Sequence, residues 1–313
     1  MIELINVTKR FGKNATVNNV TFEVKKGEIT GFLGPNGAGK TTTMRMITGF
    51  FSPTEGSINV AGIDILKDPI AAKRKIGYMP ENVPLYKELT VYGYLKFIAE
   101  VKGVKKGEIA ARIEKAMEEA GVSQVRNKII GNLSKGYRQR TGIAQAILND
   151  PEVLILDEPT SGLDPKQIKE IRNLIKNMKG ERTIILSTHI LPEVSMTCDK
   201  VVVINEGKII VQDDVYNVEN KFHKSSKVYV EVKAPKTDFA AAVKKIKGVA
   251  GISVEKEADK GHAVYSVETE EGFDVRGDIV RCIVKNRWDL LELKRQSFTL
   301  EDVFLKLVTK EDA

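Results

Sequence analysis

The chain has 313 residues, 42% of them hydrophobic, which is enough for one large or two ordinary domains with substantial cores. A net charge of +7 would suit an acidic partner, but lysines and glutamates are interspersed over most of the length, so a solvated lysine-rich surface is expected and nucleic acid is not expected as a partner. Cys198 and Cys282 lack metal-ligand spacing, which argues against a disulfide framework or structural zinc, and no apolar run approaches the ~20 residues of a membrane span.

The first residues, Ile2 to Val7, read as a strand and not as an export signal, so a cytosolic location is expected. Val20 to Val24 is a second strand, and Lys25-Lys26-Gly27 turns into a buried strand over Glu28 to Leu33. Phe11-Gly12 lies in the connection between the first two strands, where the ring suits either stacking on a base or a satellite core. Gly34-Pro35-Asn36-Gly37-Ala38-Gly39-Lys40-Thr41 then fits the phosphate-loop spacing G-x-x-x-x-G-K-[ST], with Thr42 next and a helix through Met44, Met46 and Ile47 to Thr48. Its glycines let backbone N–H groups turn toward phosphate oxygens, and the new helix adds its positive end. Lys40 is placed to reach the β- and γ-phosphates, and the Thr41 hydroxyl can ligate Mg²⁺.

Residues 55–60 with Ala61-Gly62 read as a hairpin on this β-rich flap. A short strand at Ile76 to Met79 ends in Pro80-Glu81-Asn82, which puts a carboxylate just past a strand end, where ligands of open α/β sheets gather. The chain then becomes helical: Thr90 can cap a helix over 91–101, and Ile109, Ile113, Ala116, Met117 and Ala120 share one face that stops at Gly121. Ser134 and Gly136 sit at the start of a third helix that runs to Asp150-Pro151.

Val153 to Leu156 is an unbroken apolar run closing on Asp157-Glu158, as expected of a strand buried on both faces with acids at its tip. The loop Thr160 to Pro165 precedes a helix, and Thr183 to Thr188 is the next strand with His189 at its end. Strands alternating with helices indicate a parallel sheet. After a hairpin over 201–211 the pattern restarts near residue 220 as strand, helix, strand, strand, helix, strand, an order that fits a ferredoxin-like domain, followed by a helix from a capping box at Thr299. His223, His262 and Trp288 carry no ligand or cage pattern and read as structural or exposed.

Taken together, residues 1 to about 215 resemble the nucleotide-binding subunit of an ATP-binding cassette (ABC) transporter. Phe11 matches the aromatic loop, 34–41 the Walker A motif, and Glu81 the lid position usually held by Gln. Leu133-Ser134-Lys135-Gly136-Tyr137 matches the signature L-S-G-G-Q with two departures, 153–158 the Walker B motif, Ser161 to Asp164 the D-loop, and His189 the switch histidine. The text around Tyr78 and the tail from Leu300 look like the exporter-type subclass that includes drug, antibiotic-resistance and gliding-motility systems.

The resemblance implies an α/β P-loop ATPase domain over 1–218, with a mainly parallel core sheet, an antiparallel flap and a helical insert at about 85–149, and an accessory α+β domain over 219–313. It implies ATP and Mg²⁺ as cofactors, the metal held by Thr41, Asp157 and Glu81, with Glu158 as general base or water-positioning group and Lys40 and His189 stabilising the γ-phosphate. Ser134 and Gly136 would act across an interface with a second ATPase subunit, beneath a separate membrane permease on the cytoplasmic face. The loop Val83 to Tyr86 would meet the permease. The competing expectation is a soluble ABC ATPase working on ribosomes or DNA. A GTP switch lacks its guanine motif, because neither Asn127-Lys128 nor Asn220-Lys221 has Asp two residues on.

Overall fold

A computed structural model describes residues 1–221, 227–257, 262–270 and 272–296. The chain forms two compact units, Met1–Val215 and Tyr216–Ala313. In the first, β1 (Ile2–Phe11) and β2 (Asn14–Val24) make a hairpin longer than the alternation at 2–7 and 20–24 predicts. Next, β3 (Ile29–Leu33) leads through the glycine loop into α1 (Lys40–Ile47), which begins two residues before the expected start. β4 (Glu55–Val60) and β5 (Ile63–Asp64) return to β1, so the flap is a four-stranded antiparallel sheet in the order β2-β1-β4-β5.

A short helix that apolar spacing did not disclose, α2 (Pro69–Arg74), is capped by Asp68 and precedes β6 (Ile76–Met79). The insert follows as α3 (Val91–Val101), α4 (Ile109–Glu119) and α5 (Lys135–Ile147). Thr90 Oγ1 accepts the Gly93 N–H at 3.1 Å to start α3, and Gly121, at φ 64°, lies just past the end of α4. The core then adds β7 (Val153–Asp157), α6 (Pro165–Asn177), β8 (Thr183–Thr188), α7 (Leu191–Thr197), β9 (Lys200–Asn205) and β10 (Lys208–Asp214), and α8 (Val215–Lys221) begins at the boundary and runs into the second unit.

The core sheet runs β10-β9-β3-β8-β7-β6, with β10 the antiparallel edge and the other strands parallel. Its inner strands β3, β7, β8 and β9 are buried on both faces and divide their side chains between two cores. Leu154, Leu156, Ile184 and Leu186 pack toward the helical insert, while Val153, Ile155, Ile185 and Val202 pack with α1 and the flap. Register does the positioning: Leu33 pairs with Thr188 and Asp157 with Ser187, so β3, β7 and β8 end at one level and the residues that follow them emerge together.

The second unit contains β11 (Lys227–Lys233), α9 (Lys236–Val243), β12 (Val249–Glu257), β13 (His262–Thr269), α10 (Arg276–Lys285) and β14 (Asp289–Gln296). Its antiparallel sheet order, β12-β13-β11-β14, with two helices in a βαββαβ chain, is ferredoxin-like. Trp288 meets Phe239 edge-on at 5.6 Å, and His262 lies 3.6 Å from Glu231, both structural placements. His223, the Thr299 capping box and the tail from Leu300 lie outside the described residues.

Gly77 in β6 shows how closely the insert is held to the sheet. A Cβ there would fall 2.4 Å from the Ala146 carbonyl oxygen and 2.8 Å from the Pro151 ring, whereas nothing lies within 4 Å of one built on Gly107. Gly77→Ala is expected to destabilise the protein by about 1–3 kcal/mol through overpacking, while Gly107→Ala changes it by less than about 0.5 kcal/mol. Urea unfolding of the two variants checks the contrast.

Candidate nucleotide site

The glycine loop is pinned by its neighbours. A Cβ on Gly34 would lie 2.4 Å from the Ile204 carbonyl oxygen, and Gly39, at φ 102°, backs onto the Thr16 carbonyl. Only a glycine fits either place. The result is a backbone turned around the N-terminus of α1, whose first-turn N–H groups have no intrahelical acceptors and face outward for an anion.

Lys40 is nearly buried, and its Nζ donates to the carbonyls of Gly34 (2.8 Å) and Pro35 (3.1 Å), with Glu158 Oε1 3.7 Å away. Burial lowers its pKa in spite of the opposing pull of Glu158 and Asp157. Glu158 sits at the tip of β7 in the left-handed region, φ 50°, a conformation that costs a non-glycine residue about 1 kcal/mol or more. Burial raises its pKa, against His189 and Lys40. Both carboxylate oxygens lie 2.9 Å from His189 Nδ1, so that nitrogen donates to Glu158 and the ring turns Nε2 away from it.

Asp157 is fully buried, and neither of its oxygens has a hydrogen-bond partner. Burial raises its pKa. The nearby Ser187 and Thr41 hydroxyls favour the charged form, and the Glu81 charge adds to the raise. An ionised group left without compensation in a buried place is costly. A divalent cation between Asp157 and Thr41 would supply that compensation, so these residues fit the metal that the sequence implies.

These groups share one cleft of about 430 Å³. It brings together Asn36, Gly37, Gly39, Lys40, Thr41 and Thr42 from the loop with Glu81, Glu158 and His189. Gly34, Pro35 and Ala38 shape the loop behind this lining, and Asp157 lies beneath it. Thr16 and Ser161 also line the cleft, though the sequence reading did not single them out. Thr16 gives no local signal, since its place follows from the β2 backbone touching Gly39; Ser161 had its D-loop position as a clue. Phe11 is not in the lining. Its half-exposed ring meets Phe51 edge-on at 5.4 Å, with Lys9 Nζ 5.3 Å from its centre.

Ser134, Gly136 and Asp164 lie elsewhere, around a second hollow of about 370 Å³. Each also has local structural work. Ser134 Oγ accepts the Tyr137 N–H at 3.4 Å to cap α5, and Asp164 accepts the Gln167 N–H at 2.9 Å to cap α6. Gly136 allows α5 close to α6, since a Cβ there would be 2.9 Å from Gln167 Cδ. The loop after Glu81 departs from expectation as well. Val83 and Leu85 pack against the insert core, while Pro84 and Tyr86 stay exposed, the Tyr86 ring edge-on to Tyr94 and Phe97. Apolar side chains next to a helical core gain more from burial than from waiting on a surface.

A mainly parallel sheet whose strand ends gather a glycine loop, paired acids and a histidine, with an antiparallel flap and a helical insert, defines a P-loop ATPase of the ABC type. The family model for the ABC transporter matches residues 17–161. Over its whole length the chain is 34% identical to the ABC transporter ATP-binding protein YhcH of Bacillus subtilis, covering 98% of that protein. It is 36% identical to the bacitracin transport ATP-binding protein BcrA of Bacillus licheniformis, with 98% of this chain and 97% of the relative covered. A dimeric ABC cassette in a post-hydrolysis state with ADP and Pi shares 27% identity and a TM-score of 0.62 over 68% of this chain and 98% of its own. The chain belongs to the ATP-binding proteins of ABC transporters. It is an ATP hydrolase of the transport class, and the ribosome- or DNA-acting alternative is set aside.

The unpartnered Asp157 gives a stability prediction with a definite sign. Its pKa in the folded protein lies above the unfolded value, so the charged form costs stability at neutral pH and the cost vanishes once both states are protonated. Asp157→Asn is therefore expected to raise the melting temperature of the nucleotide-free protein at pH 7. The gain shrinks as pH falls through the raised folded pKa and is gone below the ordinary Asp value of about 3.9; melting curves across pH 3.5 to 7 measure it.

Proposed function

We propose that this chain binds MgATP in the cleft at the ends of β3, β7 and β8, and that two ATPase subunits close on the nucleotide to drive export through a separate permease. The observation that carries this reading is the division of the site residues. The loop, Glu81, Glu158 and His189 share one cleft, while Ser134, Gly136 and Asp164 of the same chain line another. A second copy, its Ser134 hollow facing this cleft, would complete each site, as the dimeric relative suggests.

In this reading the loop N–H groups and Lys40 hold the phosphates, and Phe11 offers its exposed ring to the base. Thr41, Asp157 and Glu81 would hold Mg²⁺, which supplies charge neutralisation for the departing phosphate. Glu158 takes the proton of the attacking water. Its raised pKa makes it a stronger base than an exposed glutamate and brings it closer to neutral pH. His189, oriented through Nδ1, directs Nε2 toward the γ-phosphate. The accessory domain expected over 219–313, which falls within the second unit, serves as a regulatory or dimer-supporting module. Among the described residues no helix is long and apolar enough to cross a membrane, in keeping with a protein held at the cytoplasmic face by its permease. The match to a bacitracin transport protein over 98% of this chain supports the transport role.

Glu158→Gln is expected to bind ATP and accumulate as an ATP-bound dimer while steady-state hydrolysis falls by at least about 100-fold; hydrolysis near the wild-type rate would sink the assignment. The permease contact is read on Tyr86 and Phe97, the exposed rings beside α3. Replacing both by Ser should leave the hydrolysis of the isolated subunit within about twofold and abolish co-purification with the permease.

A further inference from the structure

Two residues that the proposed chemistry needs, Glu158 and His189, stand on different loops, 31 positions apart, yet their side chains meet at 2.9 Å. β7 and β8 bring the loops to the same level, but loops beyond strand ends are free to splay unless something ties them. The tie is a buried carboxylate that neither the sequence reading nor the proposed chemistry uses. Glu193, in the first turn of α7, is 3% exposed. Its Oε1 accepts a hydrogen bond from Thr160 Oγ1, two residues past Glu158, and its Oε2 accepts one from Thr188 Oγ1 at 2.8 Å, immediately before His189.

Both threonines are almost fully buried, and each is tied into its own loop. Thr188 Oγ1 accepts the Ile190 N–H at 3.0 Å, which leaves its proton for Glu193. The Thr160 carbonyl accepts the Leu163 N–H at 3.1 Å, and the Glu158 carbonyl accepts the Ser161 N–H at 3.2 Å, so movement at Thr160 is passed to the left-handed turn that presents Glu158. α7 itself has little room. A Cβ on Gly31 of β3 would lie 2.8 Å from Val194 Cγ1, so the helix is seated directly on the central strand.

We propose that Glu193 is a positioning residue for ATP hydrolysis: its carboxylate, anchored on the core sheet through α7, fixes through Thr160 and Thr188 the distance between Glu158 and His189. This rests on the reading that Glu158 and His189 act at the γ-phosphate. A misplacement of about 1 Å in such a pair costs up to about 100-fold in rate, whereas nucleotide affinity comes mainly from the glycine loop, which Glu193 does not touch. Loss of the carboxylate therefore separates turnover from binding.

The test uses the full-length protein, measuring steady-state ATP hydrolysis, binding of a non-hydrolysable ATP analogue, and melting temperature. Glu193→Ala is expected to lower kcat by at least about tenfold with analogue affinity within about twofold of wild type. Glu193→Gln should recover most of the rate, since its amide can accept from one threonine and donate to the other. An unchanged kcat in Glu193→Ala overturns the proposal, as does a parallel loss of rate, affinity and melting temperature. Should Glu193→Ala fail to fold, Thr160→Val and Thr188→Val each cut one arm, and wild-type kcat in both overturns it equally. Glu158→Gln run alongside separates the two claims. Turnover persisting there overturns the catalytic reading and this proposal with it, while turnover lost there but kept in Glu193→Ala removes the positioning role alone.

Discussion

Asp157 lies fully buried at the tip of β7 with both oxygens unpartnered, and the rest of the cleft is arranged around charge that the chain does not itself neutralise. Lys40 is 3.7 Å from Glu158, yet burial moves both away from their charged forms, which means their attraction does not repay the loss of water. In the proposed reading such a site would gain stability from a polyanion with its metal: the ammonium and the loop N–H groups would meet the phosphates, and Asp157 would meet the cation. Strain is stored alongside, in the left-handed backbone of Glu158.

Holding that arrangement requires the sheet to be rigid and its loops to be tied. Backbone contact does the first task, with glycines letting α7 approach β3 at Gly31 and α5 approach β6 at Gly77. Buried polar contacts do the second, with Glu193 between the loops that carry Glu158 and His189. The helical insert is tied at its far end by a network centred on Arg182, just before β8. Its Nη2 donates to Asp150 at 2.9 Å, and its Nη1 lies 3.0 Å from Glu119 of α4. Burial pushes the Asp150 pKa up, but Arg182 and Lys115 together hold it below the usual carboxylate range. At its other end the insert meets the nucleotide cleft through Glu81 and the packed side chains of Val83 and Leu85. Apolar packing thus joins the cleft to the insert, with Tyr86 and Phe97 exposed beside it.

The capping roles of Ser134 and Asp164 bear on how the second half-site is built. Each uses a side-chain oxygen to begin a helix, and a helix beginning is also where N–H groups gather for an anion. In the proposed reading, structural and ligand-binding roles would coincide here because both draw on the amides of a helix's first turn. The two departures from the family signature, Lys135 and Tyr137, leave that arrangement standing: Tyr137 supplies its N–H to Ser134, and its hydroxyl accepts from Gln124 at 3.1 Å.

The sequence by itself determined the phosphate loop, the buried strand ending in two acids, the capped helices at Thr90 and Ser134, and the order of strands and helices in both units. Each is written in contiguous residues, as a spacing, a periodicity or a cap, and so needs no distant partner to be recognised. Helices such as α2 and α7 escaped because so few residues carry too little periodicity. Only the tertiary structure decided that Glu158 and His189 touch, that Thr16 joins the cleft, that Val83 and Leu85 turn inward, and that Ser134 and Asp164 stand apart from Lys40. Those facts follow from strand register and from side chains far apart in the chain competing for the same buried space, and a lone glutamate such as Glu193 acquires its meaning only when two loops fold onto it.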